Sequence, residues 1–182
     1  MEIIISKDTV KKCADFAEKR IVGSSKLYKA RGEKWVEKIK SDIYNGALGE
    51  FGAYLHFINM GLLCSEPDLE IYEQKSKSYA PDLILGDMKL HVKSQSNDSA
   101  AKHGLSWTFQ QKDPIVWAPK KDDYVIMTKV TGNLVELKAL VAARILAKEH
   151  LFTEPRMALY GHTKTVVYYE ELEASKIKLW EL

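Results

Sequence analysis

Residues Pro81 to Gln95 read PDLILGDMKLHVKSQ and bring a carboxylate, an imidazole, an ammonium and an amide onto one short stretch. Two apolar runs flank Gly86-Asp87, a dipeptide of the kind that closes a two-residue β-hairpin. Counting outward from that turn sets Leu85 opposite Met88, Ile84 opposite Lys89, Leu83 opposite Leu90 and Asp82 opposite His91. Side chains alternate along a strand, so Asp82, His91, Lys93 and Gln95 share one face, while Leu83, Leu85, Leu90 and Val92 can enter a core on the other. A longer turn or a bulge would slip this register. The chemistry that suits such a face is phosphodiester hydrolysis. Mg²⁺ takes oxygen ligands, keeps several waters, and is held by one or two carboxylates plus substrate phosphate. A lysine beside it can orient or deprotonate the attacking water and offset the charge that builds on the phosphate.

A second carboxylate comes from upstream. The stretch Gly46 to Met60, GALGEFGAYLHFINM, is apolar or small almost throughout, which marks a buried helix. Gly46, Gly49, Gly52 and Ala53 lack bulk and permit close packing on a sheet. Glu50 lies on a helical stripe with Ala47, Tyr54 and Phe57. A carboxylate there is costly to bury unless it pairs or binds a metal. Either role is open: an ion pair or cap for a neighbouring backbone, or a metal ligand together with Asp82 and the Val92 carbonyl.

The rest of the chain must position these groups. Glu2 to Ser6 is a short strand. A helix capped by Ser6 or Asp8 follows to about Val22, and Gly23 to Gly32 is a loop whose Lys26, Lys29 and Arg31 either meet solvent or touch phosphate. Glu33 to Asn59 is helical, with a break at Asn45-Gly46. Asp68 to Glu73 and then the hairpin are strands, Ser96 to Gly104 a polar mobile loop, Ser106 to Gln111 a strand and Pro114 to Lys121 irregular. Tyr124 to Val130 and Leu134 to Leu137 pair across a turn at Thr131-Gly132-Asn133, and Ala139 to His150 is a helix. Thr165 to Tyr169 is a strand, Glu170 to Ala174 a helical turn and Ile177 to Trp180 a strand. This order implies one α/β (α+β) domain over residues 1–182, a central mixed, largely antiparallel sheet flanked by helices.

Composition narrows the class without choosing a function. The 182 residues are 46% hydrophobic and 29% charged, ordinary for a globular protein, and 27 basic against 25 acidic residues leave a formal net charge of +2. Any basic surface is therefore local. Cys13 and Cys64 are too few for a disulfide framework or structural zinc and are expected as buried, reduced thiols in a cytoplasmic protein. No apolar run reaches the length of a membrane span, and MEIIISKDTVKK has no signal-peptide pattern. Phosphate-loop, dinucleotide, nucleophile-elbow and zinc-protease motifs are absent, and the five histidines have no zinc spacing.

Pro81-Asp82, an apolar spacer and His91-Val92-Lys93 resemble the PD-(D/E)xK signature of the restriction-endonuclease-like nucleases. Gly46 to Glu50 is similar to the helix that carries an extra acid in many members. The resemblance covers roughly Gly46 to Gln95. It implies a restriction-endonuclease-like mixed sheet flanked by helices and Mg²⁺- (or Mn²⁺-) dependent endonucleolytic cleavage of DNA. It implies Asp82 as metal-binding aspartate, Lys93 as catalytic lysine, Glu50 as the helix-borne acid and Gln95 as a contact to phosphate or water. A homodimer follows by the same analogy, because many such enzymes pair subunits to cut both strands. One position departs: His91 stands where the second acid belongs. An imidazole carries no negative charge and suits Zn²⁺, Mn²⁺ or Fe better than Mg²⁺. Three arrangements are open. Glu50 replaces the missing acid; His91 is itself a metal ligand or proton carrier; or the site is inactive and the chain binds nucleic acid or a protein partner. Beyond the motif, Lys102, His103, Trp107, Gln110, Gln111 and Lys112 mix cationic, amide and aromatic groups suited to phosphate, base edges and base faces, against the alternative of an exposed loop with a buried Trp107.

Overall fold

A computed structural model describes residues 1–30, 36–71, 79–156 and 163–180. Strand β1 (Glu2–Ile4) leads into α1 (Lys7–Ala30), and α2 (Val36–Asn59) follows. The hairpin is β2 (Leu83–Leu85) and β3 (Met88–Ser96). Next come α3 (Asn97–His103), β4 (Ser106–Gln110), α4 (Pro114–Trp117), β5 (Asp123–Thr131), β6 (Leu134–Ala142), α5 (Ala143–Lys148), β7 (Lys164–Tyr168) and α6 (Tyr169–Ala174).

The central sheet has the order β1-β6-β5-β3-β2. Only β3 and β5 run parallel; the other three pairings are antiparallel. A parallel pair needs a crossover, and here α3, β4 and α4 supply it. Strand β4 then pairs with β7 in a separate two-stranded sheet that the sequence reading does not anticipate. The result is mixed α+β, with a mainly antiparallel central sheet flanked by helices as expected.

Each face of the central sheet has its own core. Leu90, Val92, Ile126 and Leu137 pack with Phe16, Leu48, Phe51 and Phe57 of α1 and α2. Val125, Met127, Ala139 and Val141 pack on the other face with Trp107, Phe109, Leu146 and Val167. A bulge at Met127/Thr128 makes this division possible in β6: Met127 faces Ala139 but Thr128 faces Leu137, so Lys138 is the extra residue and the inward phase changes there.

Several elements differ from expectation. Helix α1 continues to Ala30 rather than ending near Val22, so Gly23 to Ala30 is no loop; the side chains of Lys26 and Lys29, and residue Arg31, lie outside the description. Helix α2 passes unbroken through Asn45-Gly46, where the Asn45 side chain donates to the Ser41 carbonyl at 2.7 Å; Glu33 to Trp35 are not described. Asp68 to Ile71 form no strand, and Tyr72 and Glu73 lie outside the described residues. The expected loop after Gln95 is the helix α3, because Ser96 caps it by accepting from the Ser99 N–H. One helical turn, α4, begins within the stretch expected to be irregular, with Asp113 as cap and Pro114 at its start. Ala139 to Ala142 belong to β6 rather than to a helix, since a strand covered on both faces reads as a continuous apolar run. Ile177 to Trp180 form no strand; Trp180 makes a single parallel bridge to Leu140. No helix among the described residues is long and apolar enough to cross a membrane.

Candidate active site at the end of strand β2

The hairpin has the register counted from its turn: Leu85 with Met88, Ile84 with Lys89 and Leu83 with Leu90. Gly86 takes φ +56°, which a residue without Cβ adopts freely. The ladder stops at Leu83, so the expected Asp82–His91 pair is not part of it. Instead the Asp82 N–H donates to the Leu90 carbonyl at 2.9 Å, and its carboxylate Oδ2 accepts from the Val92 N–H at 2.7 Å. Asp82 thus stands just before the first residue of β2, beside the stretch of β3 that runs past it, and that backbone bond orients its carboxylate.

Glu50 reaches the same point from α2. A Cβ on Gly49 would overlap Ser94 Oγ and lie 2.8 Å from Thr128 Oγ1, and one on Gly52 would lie 2.7 Å from Val135 Cβ. Only glycine permits so close an approach. Gly46 has open space beside it and contributes nothing to this seat. Gly49 therefore sits directly on Ser94, the neighbour of Lys93, and Glu50 is the next residue along the helix. Ser94 and Thr128 close the seat with a hydroxyl–hydroxyl hydrogen bond of 2.9 Å.

The electrostatics join these residues. Burial, and then the Asp82 charge, push the Glu50 pKa up to about 8, against the pull of Arg20 and Lys93. Burial raises Asp82 as well, with Asp113 acting in the same sense; Lys93, the Val92 N–H and His91 oppose it. Burial thus outweighs the cations near both carboxylates and favours their protonated forms. Lys93 is half-buried, its Nζ 5.6 Å from the centre of the Phe109 ring.

His91 is 7% exposed. Burial lowers its pKa and Lys93 acts the same way, while Asp82, Asp123 and Asp113 oppose. Its Nε2 lies 3.7 Å from Asp123 Oδ1. The imidazole therefore stands among three carboxylates, with that nitrogen turned to Asp123.

Gln95 shares the β3 face, but its amide is committed elsewhere. Nε2 donates to the Gly104 carbonyl at 3.1 Å, and Oε1 accepts from the Ser106 N–H at 2.9 Å, which ties β3 to the start of β4. Trp107 is no surface contact: it is 1% exposed, and its indole N–H donates to the Thr128 carbonyl at 2.8 Å. Lys102, His103, Gln111 and Lys112 are exposed and Gln110 is half-buried.

Arg20, Asp113 and Asp123 join the site without having been singled out from sequence. Asp113 had a legible local signal, Asp-Pro at a helix start. Its approach to Asp82 and His91, like that of Arg20 to Glu50, depends on chain segments distant in sequence.

The donor set suits a hard divalent cation. Glu50, once its raised proton is displaced, and Asp82 can supply carboxylate oxygens, and main-chain oxygen, water and phosphate can fill the remaining positions. Among the described residues no three His, Cys, Asp or Glu side chains form a ready metal cluster. No protein-family model, no curated protein and no solved structure matches this chain.

Proposed function

We propose that this chain is a metal-dependent nuclease of the restriction-endonuclease-like fold that hydrolyses phosphodiester bonds of DNA as an endonuclease. The observation that carries the reading is the meeting of Glu50, Asp82 and Lys93 where β2 begins, with both carboxylates raised by burial and Lys93 acting on each. Glu50 and Asp82 would hold Mg²⁺ or Mn²⁺, which supplies Lewis-acid polarisation of the phosphate and an acidified water. Lys93 orients the attacking water and balances charge on the phosphate. Asp82 keeps its orientation through the Val92 N–H, and Glu50 makes up for the acid absent at position 91.

Nicking of supercoiled plasmid, with and without Mg²⁺ or Mn²⁺, tests this. Asp82→Ala and Lys93→Ala should each lower the rate by at least about 100-fold. Cleavage that survives both substitutions would remove the site assignment. His91→Glu should keep or raise activity, since Glu50 already carries the role; loss of activity there would make the imidazole essential.

A second reading is a catalytically inactive protein on the same scaffold that binds nucleic acid or a protein partner. The neutral His91 in an acid's place favours it. DNA binding without metal-stimulated nicking is the result expected from it.

A further inference from the structure

The segment from Asp113 to Asp123 is pinned at both ends beside His91. At its start, Asp113 is buried and caps α4 by accepting from the Ile115 N–H at 3.2 Å. At its end, the buried Asp123 accepts from the Lys120 N–H through Oδ2 at 2.8 Å, while its Oδ1 lies 3.7 Å from His91 Nε2. One carboxylate therefore separates the Lys120 backbone from the imidazole. Asp113 acts electrostatically on both Asp82 and His91, which places the other end of the segment near the same groups.

Trp117 closes α4 one turn after Asp113, about 6 Å along the helix. It is 69% exposed, whereas Trp107 is buried and Trp180 half-buried. Exposed lysines flank it: Lys112 before Asp113, Lys120 and Lys121 after Pro119. Among the described residues none of the three is within ion-pair distance of an acid; the adjacent Asp122 is bound by Lys89 at 2.6 Å and feels Lys120 only from farther away. Single exposed apolar residues need no explanation. An exposed indole among unpaired cations, on a segment anchored to the candidate active site, has the chemistry of a single-strand nucleic-acid platform. Each base offers a face for stacking, and lysines meet the phosphates.

Resting on the nuclease reading above, we infer that Trp117 stacks on an unpaired nucleobase of the substrate at the rim of the site, with Lys112, Lys120 and Lys121 holding the adjoining phosphates. The strand next to the scissile phosphate is then read in its unpaired form, so the chain prefers single-stranded or locally opened DNA over intact duplex.

The test measures binding of the full chain to a short fluorescent single-stranded oligonucleotide and to its duplex, in EDTA, so that cleavage plays no part. Trp117→Ala should weaken single-strand binding by about tenfold or more and duplex binding less. Trp117→Phe should retain most of the affinity, because a ring remains. Leu63→Ala, at a residue 91% exposed, should change nothing. Lys120→Ala with Lys121→Ala should flatten the salt dependence. Equal single-strand affinity for wild type and Trp117→Ala overturns the platform, as does equal loss in Leu63→Ala. If sedimentation shows that Trp117→Ala dissolves a dimer and leaves DNA binding intact, the indole is a protein contact and the inference falls. Plasmid nicking separates the two proposals. Nicking without Trp117-dependent binding removes the platform alone; Trp117-dependent binding without nicking removes the nuclease reading alone.

Discussion

Among the described residues the two faces of the central sheet bury one histidine each, by opposite means. On the helix side, His56 is 8% exposed and sits edge-on to Phe57 and Trp180, with ring centres 5.3 and 5.4 Å away. Burial lowers its pKa, and the chain's N-terminal ammonium adds to this. On the other side His91 is equally buried, but it lies 3.7 Å from Asp123 and feels the charges of Asp82 and Asp113 as well. The helix face pairs an imidazole with aromatic edges and seats α2 on glycine. The opposite face collects carboxylates, each of which also accepts a backbone N–H: Asp82 from Val92, Asp113 from Ile115 and Asp123 from Lys120. Buried charge is costly unless compensated, and its concentration near Lys93 is what the proposed nuclease site rests on.

Three changes sharpen or break that contrast. The largest effect is expected from Gly49→Ala on the helix face. Its Cβ cannot fit against Ser94 and Thr128, so α2 must lift. Overpacking of this kind costs about 1–3 kcal/mol, read as a fall in Tm of several degrees. Because Glu50 moves with the helix, nicking should fall further than stability does, and Ser94→Gly in the same chain should recover much of both. A Gly49→Ala protein with unchanged Tm and activity would show that α2 is not seated as described.

Asp113→Ala addresses the other face. Loss of the α4 cap should cost about 1 kcal/mol in chemical denaturation. Unlike an ordinary cap, Asp113 also adds negative charge near Asp82, so its removal should ease ionisation of that carboxylate. A shift of the acidic limb of the nicking profile toward lower pH would register this; an unmoved limb would reduce Asp113 to a cap.

The smallest effect concerns pH. The fold holds the His56 pKa below its ordinary 6.5, so the unfolded chain takes up a proton first as pH falls. The stability contribution is therefore full above about pH 6.5 and declines below it. His56→Phe keeps an aromatic ring and removes the titration. Its Tm should drop less than that of wild type between pH 7.5 and pH 5, the remaining loss including that from His91. Parallel curves for the two proteins would mean that His56 is not held neutral by the fold.

Local chemistry made the hairpin readable. Gly86 at the turn and period-two alternation through Leu83, Leu85, Leu90 and Val92 specify the register without help from the rest of the chain. Glycines at 49 and 52 in an otherwise apolar helix announced close packing, and the close contacts are there. Reading failed where two periods compete. Ala139 to Ala142 satisfied a helical pattern as well as a strand covered on both sides, and only pairing with β5 decides between them. The chain after Gln95 looked like a loop because polar residues dominate it, yet Ser96 starts a helix there.

For the candidate site, sequence alone determined the order and spacing of Glu50, Asp82 and Lys93 and the hairpin register that leads into Lys93. These follow from alternation and turn geometry, which act over a few residues. The tertiary structure decided the rest. It started β2 at Leu83, one residue past Asp82, so that the carboxylate takes the Val92 N–H instead of facing His91 across a ladder. It committed Gln95 to the α3–β4 connection, buried Trp107 and left Trp117 outside. It also brought Arg20, Asp113 and Asp123 to the site from separate segments, since burial and charge are set by neighbours in space and not by neighbours in the chain.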